Sequence, residues 1–257
     1  MSQTPDPHGE QGSDAIGAWM FADAIPAAGT THWLSRDEAR HAAGSRRLRP
    51  GDPLTLFDGQ GTVAHATLGN ARRDDGALEV LVVAHHHVPR EGRHVTLASA
   101  VPKGDRLATL MEGIGPLGVA AFVPLRTERG VVPWSGHLAQ RSRRILMECA
   151  KQSHSPWVTA VPDAAGGAPD VPSVVSEAAG HGARVMIADQ SGAPLAHVAA
   201  GVPADARVRV LVGPEGGFSG RERDAAVAAG AVPVSLGPAI LRIELAATVA
   251  AALLRLR

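Results

Sequence analysis

The 257-residue sequence holds a single cysteine, Cys149. An intrachain disulfide is therefore excluded, and so is a zinc site built on several thiolates. Tyrosine is absent, and four Phe and four Trp make up the whole aromatic complement. Few platforms remain for stacking bases, which argues against an RRM-type or single-strand binder. Formal charge is balanced, with 25 basic and 25 acidic side chains. A broadly basic surface is not indicated, so any contact with nucleic-acid phosphates must come from a local patch. The longest apolar stretch, Leu245 to Leu254, is too short to span a bilayer. Met1 to Gly17 is polar and acidic, reads as a disordered tail, and has no apolar centre of a secretory signal. With no membrane segment, the expected location is cytoplasmic. No Gly-x-Gly-x-x-Gly opens a first βα unit and no Gly-x-x-x-x-Gly-Lys-Ser/Thr occurs, which leaves out the Rossmann and P-loop nucleotide folds.

What is present is a substantial core: 45% of residues are hydrophobic. Their pattern changes along the chain. Residues 18–90 carry short strand-like runs (Trp19 to Ala22, Leu54 to Phe57, Thr62 to Leu68, Ala77 to Ala84) and one helix opened by the capping-box spacing Ser35…Glu38. This predicts a small β-barrel domain, joined by Pro89 to Arg93 to a second domain. Residues 91–257 alternate strands with helices. The strands are Val95 to Ala100, Val119 to Val123, Arg184 to Ala188, Arg207 to Val212 and Val232 to Leu236. The helices are Gly104 to Ile114, His137 to Ser153, Val171 to Gly180, Gly220 to Ala229 and Leu241 to Leu256. Such alternation predicts an α/β domain with a largely parallel sheet. His85, His86 and His87 do not predict a metal site, because neighbouring side chains on a strand point to opposite faces.

The densest punctuation falls after two of those strands. Val208 to Val212 stops at Gly213-Pro214-Glu215-Gly216-Gly217, and Ser219 then stands three residues before Glu222, another capping-box spacing. Val232 to Leu236 stops at Gly237-Pro238 and leads into Ile240-Leu241-Arg242-Ile243-Glu244. Loops at the carboxyl ends of parallel strands are where open α/β sheets bind ligands, and glycine lets the backbone come close to one.

The pair Gly-Pro-Glu-Gly-Gly and Leu-Gly-Pro-x-Ile-Leu-Arg-x-Glu resembles the RsmE family of 16S ribosomal RNA uracil-N3 methyltransferases, in the SPOUT superfamily. The resemblance runs over about residues 19 to 257. Arg46-Arg47-Leu48-Arg49-x-Gly-Asp is similar to a signature in that family's PUA-like barrel, Lys103-Gly-Asp-Arg106 to the start of its catalytic domain, and Thr127-Glu128-Arg129 to its Ser-Glu-Arg. Glu148 to Ser153 resembles its Ala-x-Glu-Gln-Ser helix end. The resemblance implies a trefoil-knotted SPOUT domain whose loops, near 188 to 192, 213 to 217 and 236 to 242, hold S-adenosylmethionine. It also implies a homodimer with the site near the subunit interface. The implied cofactor residues are Leu211, Gly213, Glu215, Gly216, Gly217, Leu236, Gly237, Ile240 and Leu241. The implied catalytic residues are Glu244, Arg242 and Arg129. Small-subunit ribosomal RNA would be bound by Arg46, Arg49, Lys103, Arg106, Gln152 and His154.

Several matching positions differ from the family. Ala239 stands for an Arg, Leu245 for a Thr, Ile243 for a Thr, Pro116 for a Glu, Lys151 for a Glu and Ser155 for an Arg. Two further readings therefore stay open beside the RNA methyltransferase. One is a repurposed enzyme acting on a small molecule; the other is a non-catalytic RNA- or cofactor-binding protein.

Overall fold

A computed structural model describes residues 17–44 and 46–256. The tail expected over residues 1 to 17 lies, but for Gly17, outside the described residues. Two compact units are present: one takes in the residues up to Asp58 and Thr62–Val88, the other Gly59–Gly61 and the residues from Pro89 on.

In the first unit, β1 (Ala18–Phe21), β2 (Thr31–Leu34), α1 (Arg36–Ala43), β3 (Pro53–Phe57), β4 (Thr62–Arg72) and β5 (Leu78–His87) form one sheet and one helix. Strand order is β1-β3-β4-β5-β2, with β1 parallel to β3 and the other pairs antiparallel. Alternating residues face inward, as the buried Leu78, Val80 and Val82 of β5 do, and meet Met20, Leu34, Leu54 and Leu56. Ser35 caps α1 by accepting from the Glu38 N–H, and Glu38 Oε2 also accepts from the Phe21 N–H of β1 at 3.1 Å. The helix cap thus doubles as a tie to the sheet.

The second unit contains β6 (His94–Ala100), α2 (Arg106–Ile114), β7 (Ala121–Leu125), α3 (Gly136–Ser153), α4 (Val171–Gly180), β8 (Arg184–Pro194), α5 (Leu195–Ala200), β9 (Arg207–Val212), α6 (Gly220–Ala228), β10 (Val232–Ser235) and α7 (Ile243–Arg255). Strand order is β10-β8-β9-β6-β7 and every pairing is parallel. Both faces are covered. Leu97, Met186 and Val210 join α2, α5 and α7 in one apolar cluster. Their neighbours Ala98, Ile187 and Leu211 join α4 and α6 in another. This accounts for the near-continuous apolar runs of these strands.

Two elements were absent from the sequence expectation: the short edge strand β2 and the helix α5. The strand expected at Arg184 to Ala188 is also longer and irregular. Consecutive residues Pro233 and Val234 of β10 pair with Ile187 and Ala193, so residues 188–192 stand out of the ladder as a loop. Gly192 closes that loop against β10; a Cβ there would collide with the Pro233–Val234 peptide. Arg93, expected in a linker, is instead 5% exposed and embedded in the second unit.

Candidate cofactor and catalytic site

Three loops of the second unit converge at the carboxyl ends of β8, β9 and β10. Residues 188–190, 212–218, 236–237 and 239–241, with Ala246 of α7, line a cavity of about 370 Å³. That volume falls within the range of small-molecule sites. Its wall combines backbone at the glycines with the side chains of Phe218, Leu236, Ile240 and Leu241.

The loop after β9 is a turn closed by the Gly217 N–H on the Pro214 carbonyl at 2.8 Å. Gly217 has φ +68° and Gly237 has φ +130°, conformations that side chains other than glycine rarely adopt. At both, the position of a Cβ is free of protein atoms within 4 Å. Space beside the backbone is thus kept open at two points of the lining, which suits a ligand read by exposed N–H and C=O groups. Gly213 differs: a Cβ there would press on Phe218 at 3.1 Å, so this glycine lets the turn close.

Side chains outside the lining hold the loop from behind. Arg129 Nη1 donates to the Gly216 carbonyl at 2.5 Å and to the Phe218 carbonyl at 3.4 Å. Glu215 accepts from Arg106 at 2.7 Å. Helix α6 begins with a complete capping box. Ser219 Oγ accepts from the Glu222 N–H, and Glu222 Oε2 accepts from the Ser219 N–H.

The sequence-predicted cofactor residues Gly213, Glu215, Gly216, Gly217, Leu236, Gly237, Ile240 and Leu241 all line this cavity. Leu211 does not: its side chain is fully buried among Ala98, Ile187 and Val175, because strand alternation turns it into the sheet–helix core. Of the predicted catalytic residues, Glu244 lies in the first turn of α7 and is 9% exposed. Its Oε2 is buried and has no hydrogen-bond partner among the described residues. Arg242 is the exposed N-cap residue of the same helix, with no ion pair among the described residues. Arg129, expected beside substrate, spends its guanidinium on the glycine loop.

The predicted substrate residues are dispersed. Arg46 and Arg49 are exposed on the turn after α1, where the Arg49 N–H donates to Asp52 at 2.7 Å. Lys103 is exposed, whereas Arg106 is occupied by Glu215. Gln152 lines a separate concavity of about 600 Å³ along α2 and α3, with Glu112, Arg144 and Glu148. That concavity lacks glycine loops and shares no lining residue with the first. His154 is the left-handed C-cap of α3, φ +53°. Among the described residues no cluster of three or more His, Cys, Asp or Glu can hold a metal ion, and no helix is long and apolar enough to cross a membrane.

Asp189 was not among the predicted site residues. It lines the cavity from the looped-out segment of β8. The Ser191 hydroxyl (2.6 Å) and N–H (2.7 Å) both bond its Oδ1. The hydroxyl contact, with lesser help from the N–H and from Arg223, holds the carboxyl below its usual range against the opposing effect of burial. The local signal was Asp followed two residues later by Ser at the end of an apolar run, the spacing of an Asx turn.

Known proteins resemble this chain in sequence and fold. A family model described as an RNA methyltransferase domain matches residues 89–255, and one described as an RNA methyltransferase PUA domain matches residues 34–81. The ribosomal RNA small subunit methyltransferase E of Mycobacterium bovis is 33% identical over 235 residues, covering 90% of this chain and 88% of the relative. The crystal structure of the Neisseria gonorrhoeae ribosomal RNA small subunit methyltransferase E bound to S-adenosyl methionine superposes with a TM-score of 0.80 at 24% identity, covering 92% and 95% of the two chains. A Legionella pneumophila protein solved with its bound cofactor SAM gives a TM-score of 0.78 at 26% identity, covering 93% and 97%.

Proposed function

This chain belongs to the ribosomal RNA small subunit methyltransferase E family, and from that premise we propose that it methylates N3 of a uridine in 16S ribosomal RNA. It is an S-adenosylmethionine-dependent rRNA methyltransferase; the nucleotide and the atom are the proposal. One observation carries the assignment of the cofactor to a place. Three loops at the carboxyl ends of parallel strands meet at a cavity in which Gly217 and Gly237 keep backbone exposed and a Cβ-sized space open.

The backbone of Gly213, Gly216, Gly217 and Gly237, with Leu236, Ile240 and Leu241, would hold the cofactor. Bound there, it supplies a sulfonium methyl group open to attack by a nucleophilic nitrogen. Uridine N3 carries a proton that must leave. Glu244 is assigned as the base: an orphaned buried carboxylate oxygen is costly unless a ligand satisfies it, and this one follows directly on the loop that lines the cavity. A general base of this kind contributes about 10²–10⁴-fold. Arg242, with no ion pair among the described residues and next in sequence to the cavity wall, is assigned to a uracil carbonyl or a phosphate. Arg46 and Arg49 of the first unit are assigned to phosphates, with Lys103, Gln152 and His154 as further RNA contacts. Arg106 serves Glu215 instead.

The same reading includes three structural proposals. The meeting of the looped-out 188–192 segment with the loops after β9 and β10 is read as the trefoil knot. The domain boundary is put near Arg90. The molecule is read as a homodimer, since Ile240 (80% exposed) and Leu245 (50% exposed) set large apolar side chains beside the cavity.

The test is transfer of label from S-adenosylmethionine to small ribosomal subunits that lack the methyl group. Glu244→Gln is expected to lower kcat by about 10²–10⁴-fold with cofactor affinity unchanged. Full turnover in that variant would remove Glu244 as the base. A wild type that binds cofactor yet labels no RNA would favour a small-molecule acceptor.

A further inference from the structure

Glu222 is buried, 9% exposed, and no cation lies within ion-pair distance among the described residues. The capping box uses only part of it. Oε2 accepts from the Ser219 N–H at 2.8 Å, while Oε1 accepts from the Glu128 N–H, also at 2.8 Å, across 94 residues of sequence. Backbone N–H groups at a helix N-terminus are strong donors to a carboxylate. One carboxylate therefore fastens the Thr127–Glu128–Arg129 segment to the end of the glycine loop. The next residue, Arg129, reaches over that loop and donates to the carbonyls of Gly216 and Phe218. Its stem lies so close that a Cβ on Gly216 would meet Cδ at 3.3 Å. A hydrogen bond with the Ser219 side chain, joined by an outer bond from Arg221, holds the Glu128 carboxyl below its usual range.

Neither Glu222 nor Arg129 lines the cavity. We propose that they are positioning residues acting as one clasp. Glu222 fixes the backbone that carries Arg129, and Arg129 fixes the Gly216–Gly217 peptide in the conformation that receives the cofactor. The clasp rests on the reading of the cavity as the cofactor site. A loop released from it populates the binding-competent form less, and apparent affinity falls by that fraction. A helix-cap role alone would leave affinity untouched.

The two roles separate in calorimetric titration of the full chain with S-adenosylhomocysteine. Glu222→Gln keeps one acceptor oxygen and sets an amide NH2 against one of the two N–H groups. Arg129→Met keeps the aliphatic stem and removes the guanidinium. Each is expected to raise Kd roughly tenfold. The double variant should be no weaker than about the weaker single, because both act on one clasp. Arg129 is exposed, so its variant remains informative should Glu222→Gln fail to fold. Unchanged affinity in Arg129→Met, or effects that multiply in the double variant, would overturn the clasp while leaving the cofactor site standing. Absence of binding by the wild type would instead overturn the cofactor reading, and the clasp with it.

Discussion

Gly217→Val is expected to weaken S-adenosylmethionine binding by about 100-fold or more while the protein still folds. Gly217 has φ +68°, and a β-branched residue held there is strained by about 1–3 kcal/mol. Among the described residues no heavy atom lies within 4 Å of the Cβ position, so the branch point itself meets no obstruction. On the reading of the cavity as the cofactor site, Val at this lining position is expected to take space that the cofactor uses. Folding bears only the local strain, a loss of a few degrees in Tm for a chain of this size. Binding bears the filled space, since the strain is common to the free and the bound folded protein. Gly216→Val should do less. Gly216 is not at positive φ, and its Cβ meets only the flexible stem of Arg129. Calorimetry and thermal melting on the two variants check the contrast; affinity within about threefold of wild type for Gly217→Val would contradict it.

That ranking of two adjacent glycines was not legible in the sequence, where both read as loop residues. Much else was. The strand-loop-helix order of 208–228 follows from an apolar run, glycines and Ser219…Glu222, and both halves of that capping box are formed. Helix α4 and strand β9 have the expected bounds because Asp170 and Pro172 mark the start of one, and Gly213-Pro214 ends the other. What sequence periodicity could not supply was long-range pairing. Strand β2 is four residues on a sheet edge, held by β5. The second oxygen of Glu222 has its partner at Glu128. Leu211 sits beside the glycine loop in sequence yet alternates into the core. The loop at 188–192 reads as the end of a strand until its register with β10 is known.

Arg93→Ala is expected to cost the second unit roughly 3–5 kcal/mol, since several buried carbonyls lose a charged donor at about 1–3 kcal/mol each. For a protein of this size that is about 10 °C or more in Tm. Arg93 immediately precedes β6 and is 5% exposed. Its guanidinium donates to four carbonyls: Pro203 (3.2 Å), Leu254 (3.1 Å), Ala199 (2.9 Å) and Val202 (2.8 Å). Ala199 and Leu254 lie in the last turns of α5 and α7, where carbonyls run short of donors and the helix dipole favours a cation. The Ala variant removes the shared donor and leaves a cavity. Arg93→Lys should recover only part of the loss, since an ammonium cannot fork to four acceptors. The C-terminal end of α7 is further fixed by Arg255, which donates to the carbonyls of Glu91, Arg93 and Leu117. Arg93 is not part of the cavity lining, so its variant is expected to lose activity only as it unfolds. Melting within about 3 °C of wild type would refute the assignment.

The central claim is the identity of the methylated atom. Small ribosomal subunits lacking the modification are incubated with the protein and S-adenosylmethionine, the 16S RNA is digested to nucleosides, and the products are separated by chromatography and mass spectrometry. The expected result is one new species, 3-methyluridine, in stoichiometric amount, formed about 10²–10⁴-fold more slowly when Glu244→Gln replaces the wild type. Methylation at carbon 5, at a ribose oxygen or on another base would contradict it, as would no methylated nucleoside from a protein shown to bind the cofactor.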